Sequence, residues 1–176
     1  LASFWLGLPK EKRQNSLKIL TRVATDSING SLAMVVAEAK NRIDSSSGTE
    51  WLDAWIELRS PPANVVLFRS RLELPERKRA IAYLERFIDV SQDVNIRAQL
   101  ARWHGLEGNN EKALTILRGL IEDDGRRHHD LLTLSILELR SGSLDPAERH
   151  LKALLASEQY RSDAYYYLGE IALIKE

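Results

Sequence analysis

A hydrophobic pattern that returns every 32 to 34 residues constrains the fold of this 176-residue chain more than any other feature. Val66, Leu100, Leu134 and Leu168 stand 34 residues apart. Between them a small-then-apolar triplet recurs as Ser16/Leu20/Val23, Gly48/Leu52/Trp55, Ala80/Leu84/Phe87, Ala113/Leu117/Leu120 and Ala147/Leu151/Leu154. A period of this size marks a repeat array in which each unit is one pair of helices. Such a unit cannot bury its apolar stripe alone, so the pattern implies stacking.

Breakers divide the chain into segments of helical period. Apolar positions predict helices over about 10–25, 30–43, 48–59, 63–73, 76–90, 94–107, 110–123, 129–140 and 145–157. A last helix begins near Ser162, and residues 1–7 read as a helix tail ending at Gly7-Leu8-Pro9. Pro61-Pro62, Pro75, Gly108 and Gly142 punctuate the series, because proline and glycine are the strongest helix breakers. The Ser45-Ser46-Ser47 cluster offers N-cap hydroxyls, and Asp145-Pro146 with Glu148 reads as an N-cap and capping box. The repeat units run near 1–27, 28–60, 61–93, 94–127, 128–161 and 162–176.

Two helices approach closely only where a small side chain lets the backbones meet. Ala80, Ala113 and Ala147 supply that notch on the second helix of a pair, and Ala101, Ser135 and Gly169 on the first. Glycine inside a helix costs roughly 1 kcal/mol against alanine, so a packing reason is expected for Gly169.

Composition narrows the function classes. Lys plus Arg equals Asp plus Glu at 25 each, which removes any global charge argument for nucleic acid or an anionic membrane. Absence of cysteine excludes disulfides, zinc thiolates and thiol catalysis. No apolar run approaches the roughly 18 residues of a membrane span. Both ends read as cut from a longer protein, since the chain opens on Leu1 inside an apolar run and closes on an apolar helix.

Sequence searches for chemistry return little. No HExxH, phosphate loop or nucleophile elbow occurs. His128-His129-Asp130 lacks a further metal ligand at useful spacing and reads as a solvated repeat junction, and Asp123-Asp124 as a solvated turn. Trp5, Trp51, Trp55 and Trp103 lie on apolar faces and read as packing, with Trp51 and Trp55 the pair best placed for ligand stacking. The expectation is a non-enzyme without metal or cofactor.

On these residues the chain resembles tetratricopeptide repeat proteins. Tyr165, Leu168, Gly169 and Ala172 match first-helix signature positions of that family, while Gly108 with Ala113 and Gly142 with Ala147 match its turn glycine and crossing alanine. Departures are Arg97 and Leu131 for the usual aromatic, Leu67 for a small residue, and Gly48 at the start of a serine-rich helix. The resemblance implies an all-α, right-handed α-solenoid of antiparallel helix pairs that binds other proteins. It also implies that first helices line a concave face, here through Pro62, Val65, Arg69 and Leu72; Asn95, Ala98, Arg102 and Gly105. His129, Leu132, Ile136 and Leu139, then Asp163, Tyr166, Glu170 and Leu173, continue it. Arg69, Arg102, Leu132, Ile136 and Tyr166 are the candidate partner-binding residues, suited to a peptide or amphipathic segment with an apolar anchor and an acid. The family's Lys/Asn clamp for carboxyl-terminal tails has no match, since Val65, Ala98, Leu132 and Tyr166 occupy its positions.

Residues 151–172 are also similar to repeats of Gram-negative tetratricopeptide lipoproteins, some of which recruit a periplasmic carboxyl-terminal-processing protease. That likeness implies a scaffold or adaptor on the periplasmic side of the bacterial envelope, at the outer membrane, with a protease or assembly enzyme among its partners. The alternative is a structural spacer or self-assembly segment of a secretion or polysaccharide-export machine.

Overall fold

A computed structural model of the chain describes residues 9–44, 46–74, 76–91, 93–124 and 127–176. Within them lie α1 (Lys10–Asp26), α2 (Gly30–Asn41), α3 (Ser47–Glu57), α4 (Ala63–Arg71), α5 (Arg77–Ser91), α6 (Val94–Leu106), α7 (Asn110–Asp123), α8 (His128–Arg140), α9 (Leu144–Leu154) and α10 (Arg161–Lys175). No strand occurs among the described residues. The predicted helix at 1–7, Trp5, Ser45 and the break at Pro75 lie outside them. The chain divides into two compact units, Leu1–Leu84 and Glu85–Glu176.

In unit 2, α6 packs on α7, α8 on α9, and the second helix of each pair on the first helix of the next. The turns explain how this repeats. Gly108 and Gly142 adopt φ of 80° and 82°, a left-handed conformation that costs other L-residues about 1–2 kcal/mol. After Gly108, Asn109 N–H donates to the His104 carbonyl and Gly108 N–H to that of Gly105. Ser143 and Gly142 donate in the same way to Glu138 and Leu139. Both pairs are Schellman motifs that satisfy the last carbonyls of a helix, 34 residues apart. Ala101, Ala113, Leu117, Leu134, Ala147, Leu151 and Leu154 are buried in one continuous core. Each leucine withdrawn from water there contributes roughly 1.5–3 kcal/mol.

Unit 1 packs α1 on α2, α2 on α3, and α4 against both α2 and α3. Trp55 Nε1 donates to the Ala24 carbonyl at 2.9 Å, and Arg59, stacked on the Trp55 ring, donates to Thr25 O. These bonds satisfy carbonyls at the end of α1 that have no partner inside the helix. Trp55 is therefore structural, and Trp51 packs beside the Leu17, Ala24 and Val36 cluster. Gly48 is fixed by close approach, because a Cβ there would lie 2.0 Å from the Ala37 carbonyl oxygen and 2.6 Å from Asn41 Oδ1.

Several local expectations are corrected. The α1 triplet is Leu17/Thr21/Ala24, one residue later than Ser16/Leu20/Val23: Leu17 and Ala24 are buried and Val23 is exposed. No small residue stands at the notch of α1 to fix its register from sequence. The serine hydroxyls do not cap α3; the Asn41 side chain accepts from Gly48 N and Thr49 N instead. Helix α9 starts at Leu144, so Asp145 lies inside its first turn, and Asp145 and Glu148 bind Lys175 rather than the helix end. A Cβ on Gly169 would meet nothing within 4 Å, so the expected packing reason is absent.

Candidate partner-binding surface

First helices of unit 2 lie side by side, with α8 against both α6 and α10. Helical spacing puts Leu132 and Ile136 one turn apart on α8, and both are partly exposed. Leu132 is also packed against the core cluster. Tyr166 on α10 is 62% exposed. Its ring stands edge-on to Tyr167, centroids 5.0 Å apart. The hydrogen bond to Glu170, and then that carboxylate's charge, raise the Tyr166 pKa above its ordinary value, so the phenol stays a protonated donor.

Arg102 on α6 is half-buried, its Nη1 3.8 Å from Asp130 Oδ1. Asp130 is only 3% exposed, and its Oδ2 accepts from Arg127 Nε at 2.7 Å and contacts Nη2 at 2.6 Å. The expected solvated junction is therefore a buried ionic joint, with His128 and His129 against the Tyr160 ring. Among the described residues no His/Asp/Glu group could hold a metal ion.

The expected Arg69 is not on this surface. It is 5% exposed, inside unit 1, with Nε and Nη2 forked onto Asp53 and Nη1 on Glu73, all at 2.7 Å. Its guanidinium also lies over the Tyr83 ring. Burial alone would lower its pKa; hydrogen bonds from Asp53 and Glu73 outweigh burial and raise it. A charge so matched holds α3 to α4 and is not offered to a partner. Val65, Ala98 and Leu139 are likewise buried, while Asn95, His129, Asp163 and Leu173 are exposed.

Two polar groups of unit 2 were not legible in the sequence. Glu138 is buried between α7 and α9, with Arg118 Nη2 at 3.3 Å and His150 Nδ1 at 2.8 Å. His104 is buried, its Nε2 3.5 Å from Glu85 Oε1, in a cleft of about 400 Å³ that Lys112 also lines. Desolvation lowers the His104 pKa against the pull of Glu85, keeping the imidazole neutral. Acidic or histidine residues on the apolar stripe of α6 and α8 were the available signal.

No family model and no curated protein matches the sequence. Solved structures do match. YrrB, described as a TPR protein with an unusual peptide-binding site, is 16% identical, covers 89% of this chain and 83% of its own, and gives a TM-score of 0.69. MamA is 16% identical over 87% of this chain and 95% of its own, with a TM-score of 0.63. A tetratricopeptide repeat protein from Parabacteroides merdae ATCC 43184 is 15% identical over 93% and 66%, with a TM-score of 0.66. The fold is that of the tetratricopeptide repeat proteins. In that frame α6, α8 and α10 are first helices, and the repeat-periodic residues Arg102, Ile136 and Tyr166 belong to equivalent faces.

Proposed function

We propose that the chain is a non-catalytic scaffold that grips a peptide or amphipathic segment of a partner protein along α6, α8 and α10. The carrying observation is a mixed surface on neighbouring first helices: Leu132 and Ile136 as an apolar strip, exposed Tyr166, and Arg102 beside Asp130. Arg and Tyr are enriched at binding hot spots because each joins large contact area to directional hydrogen bonds. The apolar strip would seat a hydrophobic anchor and Arg102 an acid.

The likeness of residues 151–172 to Gram-negative lipoprotein repeats supports a sharper version, an adaptor in the bacterial envelope that presents a client to a protease or assembly enzyme. Partner capture from source-cell extract tests the surface. The Ile136→Ala/Tyr166→Ala double variant should lose partners that the parent retains, at unchanged folding. Identical partner sets would contradict it.

A further inference from the structure

Unit 1 holds a second feature, independent of the first-helix surface. A cleft of about 410 Å³ between α1 and α2 is lined by Gln14, Leu17, Lys18, Thr21 and Arg22 of α1 and by Lys40 of α2. Its three charged walls are all cationic. Among the described residues no carboxylate forms an ion pair with Lys18, Arg22 or Lys40, whereas Arg42 and Arg69 of the same unit are matched. Lys18 and Arg22 are like charges at i and i+4, an arrangement that destabilises a helix. Thr21 adds a buried hydroxyl with no hydrogen-bond partner. A local rule broken without compensation points to a functional site.

We propose that this cleft binds a short, extended acidic segment of a partner protein. Gln14 to Arg22 spans about 12 Å of helix at ~1.5 Å per residue, which roughly four extended residues cover at ~3.3 Å each. Carboxylates along such a segment meet Lys18, Arg22 and Lys40 in turn, and the chain between them lies over Leu17. A phosphate site is ordinarily built from backbone N–H groups at a helix N-terminus; this cleft runs along helix flanks. The chain's balanced net charge gives no footprint for nucleic acid.

Fluorescence anisotropy on the whole 176-residue chain, with labelled hexaglutamate, hexaglutamine and hexalysine peptides, tests the assignment. Hexaglutamate should bind at least about tenfold more tightly than the other two, with the affinity falling as salt rises. K18E/R22E should lose about tenfold, and Lys40→Gln, a milder change on the opposite wall, about threefold. Arg71→Glu, an exposed cation on α4, should leave binding within about twofold. Circular dichroism melts establish that each variant is folded. Equal binding of hexaglutamate and hexaglutamine would overturn the proposal, as would an Arg71→Glu loss as large as that of K18E/R22E. Displacement by millimolar inorganic phosphate, beyond that by chloride at equal ionic strength, would assign the cleft to a small anion and overturn it too.

Discussion

Arg102 Nη1 and Asp130 Oδ1 stand 3.8 Å apart across α6 and α8. That separation is beyond a hydrogen bond and within strong Coulomb reach. Asp130 Oδ1 has no hydrogen-bond partner of its own, so the pair orients Arg102 by attraction while leaving its donors for a ligand. Asp130→Asn removes that field and the partner of Arg127. The unfolding free energy should fall by about 1–3 kcal/mol, because a buried charge-assisted bond is lost. Urea titration measures it, and an unchanged midpoint would remove Asp130 from the account.

The crossing alanines should tolerate no bulk. Ala113 and Ala147 are fully buried, while Ala153 on α9 is exposed. Ala113→Trp or Ala147→Trp should cost about 1–3 kcal/mol or more, against about 0.5 kcal/mol for Ala153→Trp. Equal thermal midpoints for buried and exposed variants would show that these helices do not cross there.

The turn glycines give a cleaner backbone test. Gly108→Ala and Gly142→Ala meet no atom within 4 Å, so any loss reports φ alone. Each should destabilise by about 1–2 kcal/mol, read by chemical denaturation. A neutral result would mean the left-handed turns relax without cost.

Acid should weaken the fold in two separate windows. The His104 pKa is lowered from 6.5, chiefly by desolvation. The unfolded chain therefore binds its proton first, and stability declines as pH falls below about 6.5. Glu148 is held at about 2, by its hydrogen bond to Lys152 first and Lys175 second. Its contribution is complete above the ordinary value of 4.5 and is lost as pH falls from there towards 2. Carboxyl titration by NMR should find Glu148 well below other glutamates, moving upward in Lys152→Ala more than in Lys175→Ala. No movement in either variant would contradict the assigned cause.

Much of the fold was legible because its signals are local. Proline and glycine breakers placed the helix boundaries within a few residues, and the 34-residue spacing of Gly108 and Gly142 reflects a turn geometry that favours glycine. What stayed hidden depends on contacts between separate helices. The burial of Arg69 requires Asp53, 16 residues away on another helix. Asp130 looked solvated because its partners, Arg127 before the helix and Arg102 on α6, converge only after folding. The apparent capping box at Asp145 failed because α9 begins one residue earlier and Lys175 takes both carboxylates. Of the candidate surface, Leu132, Ile136 and Tyr166 followed from repeat spacing alone.

Site-specific photo-crosslinking in source cells tests the central claim most directly. A benzophenone side chain at position 136, on α8, should form adducts with one or a few proteins. The same group at position 153, on the exposed side of α9, should form none. Adduct formation at 136 should fall when Tyr166→Ala is added. Adducts at 153 without any at 136 would contradict a partner surface on the first helices.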